Sequence, residues 1–394
     1  MQNTGKGLRL TIAGGGTGGH VLPALAVVEE LQQRSALREA LWIGSRDGLE
    51  REAATNANIP FIAIPTGKLR RYLSLRNVTD AARVPLGMVA ARRRLGAFGP
   101  DVVLSTGGFV SVPTVIAARG IAPVLTHEQT AILGLATRIN ARFAAVLAVS
   151  HQQTAEEANR IHDYVMVTGN PVRPGLTHGD RTRGLAWLGF EESLPVVYVT
   201  GGARGASPIN QRIAALLPGL LEVAQVVHQT GPASANADAE SLRQLRESLP
   251  DQLRHRYRVF EFVRDELPDL YAATDLVVSR SGAGTIAELA YLGLPAILIP
   301  LPGTGGDEQA VNAQVLGDIG AAVVLPQSDA TPDRLRVEIQ SILTDPARRA
   351  RMSDAARTAS QPRAASHLAD ALLSLATHAT IPPLPSQREW GARG

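Results

Sequence analysis

The sequence contains no cysteine among its 394 residues. This excludes disulfides, cysteine-ligated metal sites and thiol nucleophiles, and it favours a reducing compartment. The sequence also lacks any uninterrupted apolar stretch that approaches the ~18 residues of a membrane-spanning helix. The first strand is expected at about Leu8, which leaves no room for an apolar leader after Met1. We therefore expect a cytoplasmic protein that does not cross a membrane.

The apolar runs predict two successive α/β halves. Short apolar segments bounded by glycine and proline alternate with helical segments, as is typical of strands buried on both faces of a parallel sheet. The strand-into-glycine opening of the chain recurs at 195–202, and a chain of this length exceeds one ordinary core. The segment 169–175 is rich in Pro and Gly, which stop both helix and strand. We therefore predict a first domain at 1–173, a second at 174–370, and a C-terminal tail at 371–394 that is disordered at its end.

One glycine turn in the second half is typical of a nucleotide-sugar site. Residues 280–288 read Arg-Ser-Gly-Ala-Gly-Thr-Ile-Ala-Glu and connect an apolar strand at 276–278 to a helix. Such a turn leaves unpaired backbone N–H groups at a helix start, where they attract phosphate. Glu288, one turn further in, is well placed for a ribose or sugar diol. The alternative is that this glutamate caps its own helix.

The first glycine loop has several possible functions. Residues 14–20 read Gly-Gly-Gly-Thr-Gly-Gly-His and satisfy the dinucleotide pattern G-x-G-x-x-G. The second strand ends in Gly-Ser-Arg at 44–46 instead of an acidic residue, which argues against NAD; a purely structural turn is the other alternative. His20 lies at a helix N-terminus, where the dipole favours the neutral imidazole that a general base needs. A capping or packing histidine remains equally open.

Further candidate segments follow other strands. A second glycine turn lies at 106–113, and His-Glu-Gln-Thr at 127–130 follows a short strand, at the edge where ligands of α/β sheets gather. In the second half, 201–207 repeats the anion-binding type of loop. Each segment has a structural alternative, since loops also use these residue types.

Two amides in the second half share one predicted helix face. Gln309 and Asn312 lie three residues apart, with Asp307 as a plausible helix cap. Amides at this spacing can bind sugar hydroxyls and an acetamido carbonyl without adding charge. They could equally be polar residues of the surface.

Residues 68–95 combine basic and apolar side chains. Eight basic residues stand against a single acid, Asp80, and apolar residues run between them. Such a segment suits anionic lipid headgroups, where half of the cations would supply about 4 kcal/mol at ~1 kcal/mol each. Nucleic acid is a weaker alternative because only Tyr72 could stack on bases. The other alternative is a solvated helix whose apolar side lies in the core.

Taken together, these segments resemble the MurG family, the peptidoglycan N-acetylglucosaminyltransferases of the two-Rossmann (GT-B) class. The resemblance runs from the first strand to roughly residue 370. It implies two Rossmann-like α/β domains with parallel sheets facing a cleft. The segments that carry it are Gly-Gly-Thr-Gly-Gly-His at 15–20, Gly-Gly-Phe-Val-Ser at 107–111, His-Glu-Gln at 127–129, Gly-Asn-Pro-Val-Arg at 169–173, Gly-Gly-x-x-Gly-Ala at 201–206, Arg-Ser-Gly-Ala-Gly-Thr at 280–285 with Glu288, and Asp-x-Gln-x-x-Asn at 307–312.

The resemblance implies transfer of N-acetylglucosamine from UDP-N-acetylglucosamine to the C4 hydroxyl of the muramic acid unit of lipid I. The product is lipid II, formed with inversion. The second domain would hold the donor, with the ribose at Glu288 and the uracil at the Val263 backbone and at Arg173, the last residue of the first domain. The diphosphate and sugar would lie at Ala283, Gly284 and Thr285, with the two amides at the N-acetylglucosamine. The full implied donor set is Arg173, Ala203, Arg204, Val263, Ala283, Gly284, Thr285, Glu288, Gln309 and Asn312.

The first domain would hold the acceptor, with His20 as candidate base and Glu128 as a second catalytic candidate. No metal or other cofactor is required on this resemblance, although a divalent cation could stimulate the reaction. The implied partners are both substrates, anionic lipid at the cytoplasmic face of the cell membrane, and other wall-synthesis proteins, but not nucleic acid. The diphosphate loops would use Gly16, Thr17, Gly18, Gly19, Gly107, Gly108 and Thr130. The membrane patch would comprise Leu69, Arg70, Arg71, Tyr72, Leu75, Arg76, Arg92, Arg93 and Arg94.

The sequence departs from the family pattern at two places. Thr130 stands where the family usually has asparagine, which removes amide reach from the acceptor contact. The family's Gly-Gly-Ser-Gln-Gly-Ala is here Gly-Gly-Ala-Arg-Gly-Ala. Ala203 therefore removes a hydroxyl expected on the donor diphosphate, and our hypothesis is that Arg204 compensates with a cation.

Three other functions remain compatible with the sequence. A glycosyltransferase of the same architecture that acts on diacylglycerol or a polyketide would share the donor half. A UDP-sugar epimerase would share the two-Rossmann plan without needing the basic-apolar segment. A non-catalytic membrane scaffold would keep that segment but would not need Glu288 together with both amides.

Overall fold

The structure is a computed structural model that describes residues 7–67, 75–303 and 307–379, with only the backbone described for 75–82. The chain divides into two compact units. The first comprises Met1–Arg173 with Gln361–Gly394, and the second comprises Pro174–Ser360.

The first unit is a seven-stranded parallel sheet with helices. In space the strands follow the order β3-β2-β1-β4-β5-β6-β7. Its strands are β1 Leu8–Gly14, β2 Leu37–Gly44, β3 Phe61–Ala63, β4 Val102–Gly107, β5 Val124–Glu128, β6 Val146–Val149 and β7 Val165–Val167. Its helices before residue 174 are α1 Gly18–Gln33, α2 Leu49–Asn56, α3 Leu75–Phe98, α4 Ser111–Ala117, α5 Leu135–Ala141 and α6 Gln152–Ala158.

The second unit is a six-stranded parallel sheet in the order β10-β9-β8-β11-β12-β13. Its strands are β8 Val196–Thr200, β9 Gln225–Gln229, β10 Tyr257–Phe260, β11 Leu276–Ser279, β12 Ala296–Leu298 and β13 Ala322–Val324. A 3₁₀ turn at Pro174–His178 precedes the helices α7 Arg181–Leu188, α8 Ser207–Leu221, α9 Asp238–Ser248, α10 Asp251–Arg254, α11 Leu267–Ala273, α12 Ala283–Leu292, α13 Glu308–Gly317, α14 Pro332–Leu343 and α15 Pro346–Thr358.

The strand order places the glycine loops next to each other within each unit. The central strands are apolar and buried because helices cover both faces of each sheet. β1 pairs with β4 in the first unit, and β8 pairs with β11 in the second. The chain reverses its winding direction at these pairs, which is where ligands of open α/β sheets bind. The loops after β1 and β4, and those after β8 and β11, therefore become neighbours.

The last described helix, α16 Ala364–Ala376, belongs to the first unit. Leu368 and Leu372 are buried in one cluster with Val28 and Leu31 of α1. The division into compact units therefore places 361–370 with the first unit, whereas the sequence analysis assigned them to the second domain. The predicted tail from 371 begins within this helix, which continues to Ala376 because an apolar face at helical spacing buries it. The predicted disorder of the tail's end falls on 380–394, outside the described residues.

Candidate active-site loops

The first glycine loop is held by a buried carboxylate that the sequence analysis missed. Glu50, in the first turn of α2, is fully buried. Its Oε2 accepts a hydrogen bond from the Gly16 N–H at 2.9 Å, and its Oε1 accepts from the Ser45 N–H at 2.9 Å and hydroxyl at 2.6 Å. A Cβ on Gly15 would lie 2.3 Å from the carboxyl carbon, so only glycine fits there. The protein's own carboxylate is therefore the hydrogen-bond acceptor of the Gly16 N–H. Thr17, which is exposed, precedes α1, and the partly exposed Gly18 and Gly19 are the first residues of that helix.

His20 has a defined tautomer in this structure. Its Nδ1 lies 2.9 Å from the carbonyl oxygen of Thr106 and 3.0 Å from Oε1 of Gln129. Both neighbours are acceptors, so Nδ1 must carry the hydrogen and donate it. In the neutral form of this half-buried imidazole, Nε2 is the nitrogen that carries the lone pair. This is the protonation pattern of a general base.

Two glycines allow the loop after β4 to close on the imidazole ring. Gly107 and Gly108 have φ of +85° and +76°, which glycine adopts without strain. A Cβ on Gly108 would lie 2.4 Å from the carbonyl oxygen of Gly15 and 3.0 Å from Cδ2 of His20. These glycines hold the histidine in place, and their predicted contact with a diphosphate stays a prediction.

Glu128 fastens its own loop. The carboxylate is buried, and its Oε1 accepts from the Thr130 N–H at 3.2 Å and hydroxyl at 2.9 Å. Oε2 accepts from the Gly134 N–H at 2.9 Å and the Thr137 hydroxyl at 2.6 Å. The Thr130 hydroxyl also lies 2.6 Å from the carbonyl oxygen of Ile132. These contacts favour a structural function for both residues, while the predicted catalytic function of Glu128 stays untested.

In the second unit, α12 begins at an open turn. Ala283 is buried, whereas Gly284 and Thr285 are partly exposed. A Cβ on Gly284 would meet nothing within 4 Å, so a ligand could approach the backbone closely. α12 has 10 residues, and the positive end of its dipole lies at this turn.

Glu288 lies one turn further along α12 and is oriented by a tyrosine. Its Oε2 accepts a hydrogen bond from the Tyr271 hydroxyl at 2.8 Å. Tyr271 is buried, and its ring packs edge-to-face on Tyr198 at 5.8 Å. The carboxylate itself is partly exposed. It is therefore fixed in direction and accessible to a diol.

The loop after β8 presents the two residues that depart from the family pattern. Ala203 and Arg204 are both exposed. Gly202 and Gly205 have φ of +75° and +70°, and a Cβ on Gly205 would lie 1.8 Å from the carbonyl oxygen of Thr230. The loop therefore needs glycine on either side of the arginine, which leaves the guanidinium at the surface.

The backbone N–H of Val263 already has a hydrogen-bond partner within the protein. Its N–H donates to Oε1 of Gln229 at 3.0 Å, and the Tyr198 hydroxyl donates to the same oxygen at 3.2 Å. Nε2 of Gln229 donates to Oγ1 of Thr200, which also accepts from the Gly202 N–H. A uracil contact at Val263 would use its carbonyl or displace Gln229. The sequence analysis did not identify Gln229, which connects this backbone to the glycine loop.

The two amides of α13 do share one face, as predicted, but Asn312 is buried whereas Gln309 is partly exposed. Nδ2 of Asn312 donates to the carbonyl oxygen of Ser281 at 3.4 Å, and the residue is only 1% exposed. Oε1 of Gln309 accepts from the Leu301 N–H at 3.0 Å, and its carbonyl accepts from the Ser281 hydroxyl at 2.7 Å. Their contact with the sugar stays a prediction. Asp307 occupies the N-cap position of α13, as predicted, but with φ of +52° its side chain makes no cap hydrogen bond among the described residues.

Arg280 is a buried cation with neutral partners. It is 6% exposed and donates to the carbonyl oxygens of Ile299 and Pro300 and to Oε1 of Gln327. Burial, together with the nearby Arg212, lowers the pKa of Arg280 to about 10. The residue stays charged near the start of α12. Arg173 of the first unit is half-buried, and its Nε has no hydrogen-bond partner among the described residues.

Part of the basic-apolar segment lies on α3. Leu86 and Val89 are 63% and 54% exposed, and Arg93 and Arg94 are exposed beside them. Arg92 is also exposed, but its Nη1 donates to the carbonyl oxygens of Ala117 and Arg119 at 3.1 and 3.0 Å. The predicted patch residues Leu69, Arg70, Arg71 and Tyr72 lie outside the described residues, and only the backbone of Leu75 and Arg76 is described.

Within the described residues, no group of three or more His, Cys, Asp or Glu could hold a metal ion. No helix in the same part of the chain is long and apolar enough to span a membrane.

Comparison with known proteins agrees with this geometry. The sequence matches the glycosyltransferase family 28 N-terminal domain over residues 10–149 and the C-terminal domain over 196–368. It is 39% identical to the UDP-N-acetylglucosamine–N-acetylmuramyl-(pentapeptide) pyrophosphoryl-undecaprenol N-acetylglucosamine transferase 2 of Bacillus cereus, over 85% of this chain and 91% of that protein. Together with the two parallel sheets, these matches confirm the predicted two-Rossmann class.

Solved structures point the same way. The crystal structure of MurG from Acinetobacter baumannii superposes with a TM-score of 0.69 at 29% identity, covering 93% of this chain and 99% of that one. The UDP-GlcNAc 2-epimerase from Neisseria meningitidis has a TM-score of 0.62 over 93% of this chain and 99% of that one, but at 15% identity it shows only a common fold. The chain is therefore a glycosyltransferase of family 28 and belongs to its MurG family of N-acetylglucosamine transferases.

Proposed function

We propose that this protein transfers N-acetylglucosamine from UDP-N-acetylglucosamine to the C4 hydroxyl of the muramic acid unit of lipid I, forming lipid II for peptidoglycan synthesis. The names of its relatives support the reaction. The structural observation that carries it is the pairing of an open helix start at Gly284 with the oriented carboxylate of Glu288. A nucleotide sugar needs both, one for its diphosphate and one for its ribose.

The second unit would bind the donor and stabilise its leaving group. The first N–H groups of α12 and the guanidinium of Arg204 would face the diphosphate, and Arg280 adds positive charge behind the turn. Fixed dipoles and cations aimed at developing negative charge are the strongest general contribution to catalysis. Because these groups belong to the protein, we propose that the reaction requires no metal ion or other cofactor.

The first unit would activate the acceptor. Nε2 of His20 takes the proton of the C4 hydroxyl as that oxygen forms a bond to the anomeric carbon of the donor. The bond from this carbon to the β-phosphate oxygen breaks in the same displacement, and UDP leaves with the bonding electrons. A single displacement inverts the anomeric configuration.

The test is transfer of labelled N-acetylglucosamine to a short-chain lipid I analogue, with diacylglycerol as a second acceptor. Product with lipid I alone supports the proposal, whereas product with diacylglycerol alone would assign a different lipid acceptor. Conversion of the free nucleotide sugar without acceptor would indicate an epimerase. Absence of any turnover would favour a scaffold.

We further propose that α3 binds the cytoplasmic face of the cell membrane peripherally. Leu86 and Val89 are exposed beside Arg93 and Arg94, so apolar insertion and attraction to anionic headgroups can act together. Among the proposed basic residues, Arg92 contributes less because it already binds two carbonyl groups.

The double variant Leu86→Ser with Val89→Ser is expected to lower partitioning onto anionic vesicles at least tenfold, since burying each of these side chains fully is worth about 1.5–3 kcal/mol. Flotation with vesicles measures the bound fraction. Val337→Ser is the matched control, because this valine is 52% exposed on the second unit. Equal flotation of the double variant and the control would contradict the proposed surface.

Arg204→Gln is expected to raise the donor KM about 2- to 5-fold, because an ion pair at an exposed position contributes up to about 1 kcal/mol. The effect should shrink at high salt because exposed charges are screened. Arg336→Gln, another exposed arginine of the same unit, serves as control. Initial rates at varied UDP-N-acetylglucosamine concentration measure this KM. An unchanged KM would refute the hypothesis that Arg204 compensates for the hydroxyl missing at Ala203.

A further inference from the structure

Gln129 lies between two histidines in the first unit. Its side chain is only 1% exposed, and Oε1 lies 3.0 Å from Nδ1 of His20. Nε2 lies 2.6 Å from the carbonyl oxygen of Thr106, 3.1 Å from that of His127 and 3.3 Å from Nδ1 of His127. Both ends of the amide are thus committed to polar neighbours.

The amide can adopt only one orientation here. With Nε2 among three acceptors, its two hydrogens are both used. A flipped amide would place its oxygen against the carbonyl oxygens of Thr106 and His127, which would repel it. Oε1 must therefore face His20, where it can only accept.

His127 supports this orientation from the other side. It is completely buried, and burial lowers its pKa to about 4, so the ring is neutral. Its Nε2 lies 3.0 Å from the carbonyl oxygen of Gly169 and donates there, which leaves Nδ1 as an acceptor for the amide. The backbone of Gln129 also contacts His151, whose pKa is lowered by burial.

The donations therefore run in one direction, from His20 to Gln129, from Gln129 to His127, and from His127 to the Gly169 carbonyl. A buried and fully satisfied network of this kind specifies one arrangement of its hydrogens. We propose that Gln129, oriented by His127, is a positioning residue that fixes His20 as the Nδ1–H tautomer and so keeps Nε2 available as a proton acceptor. Its catalytic meaning rests on the proposed function, whereas the tautomer itself does not.

The test is the tautomer of His20 in Gln129→Met, which keeps side-chain length but removes both polar ends. The protein is labelled with ¹⁵N-histidine, and the His20 signals among its nine histidines are assigned with His20→Gln. We expect the wild type to show a protonated Nδ1 and an unprotonated Nε2, and the variant to show a substantial Nε2–H population. We also expect kcat to fall about tenfold with an unchanged donor KM, equivalent to about 1.36 kcal/mol in the barrier.

An unchanged His20 tautomer in Gln129→Met would overturn the inference, since the Thr106 carbonyl alone would then set it. Gln153→Met, at an exposed position of the same unit, controls for the substitution. If Gln129→Met does not fold, the wild-type spectrum still tests the inference, because an Nε2–H tautomer of His20 in the wild type would overturn it. A wild type that shows the Nδ1–H tautomer but transfers no sugar would refute the proposed function and leave the positioning inference standing.

Discussion

His20→Ala is expected to lower kcat by about 10²–10⁴-fold, the usual contribution of a positioned general base. The physical reason is the hydrogen-bond pattern of the imidazole, whose Nδ1 donates to Thr106 and Gln129 and whose Nε2 is left with a lone pair. Alanine leaves the acceptor hydroxyl without a proton acceptor in the transition state. Single-turnover transfer to the lipid I analogue measures this step without product release.

Donor binding should be unaffected by the same substitution. Calorimetric affinity for UDP-N-acetylglucosamine is expected to match the wild type, because every proposed donor contact except Arg173 lies in the second unit. His378→Ala, at an exposed histidine of the first unit, should leave both quantities unchanged. A loss of kcat below about tenfold would assign His20 a packing function, since a general base contributes more than this.

The two sheets were predictable because the sequence pattern of each strand lies within a few consecutive residues. The apolar runs of β1, β4, β8 and β11 are buried on both faces, and such runs stand out without knowledge of the tertiary structure. The placement of α16 was not predictable in this way. Its leucines indicate an apolar face, but nothing near them in sequence says that the face packs on α1, more than 300 residues away in the chain.

For the candidate site too, local motifs were predictable from the sequence, and contacts between distant parts of the chain were not. Glycine loops and Glu288 were visible as local motifs, whereas the groups that hold them come from elsewhere in the chain. Glu50 contacts a residue 34 positions away, and Gln129 contacts one 109 positions away. A carboxylate in the first turn of α2 gives no sign that it closes a glycine loop. The amides of α13 illustrate the converse, because their shared helix face was predictable but their contacts with Leu301 and Ser281 were not.

Glu288→Ala is expected to raise the donor KM about 10- to 150-fold, which corresponds to about 1.5–3 kcal/mol for a hydrogen bond to a charged group. The carboxylate is accessible, one turn inside α12, and the Tyr271 hydroxyl at 2.8 Å fixes its direction. Tyr271→Phe should give a smaller loss, about threefold, because the carboxylate remains but is less well oriented. Initial rates at varied UDP-N-acetylglucosamine measure both effects.

A loss in KM does not by itself identify the ribose as the group that Glu288 binds, so the donor must be varied together with the protein. In the wild type, UDP is expected to bind more tightly than its 2′-deoxy and 3′-deoxy forms. In Glu288→Ala, the discrimination against at least one deoxy form should disappear, since the partner of the missing hydroxyl is already gone. Discrimination that persists in the variant, or a KM change below threefold, would return Glu288 to the alternative of a residue that only stabilises its own helix.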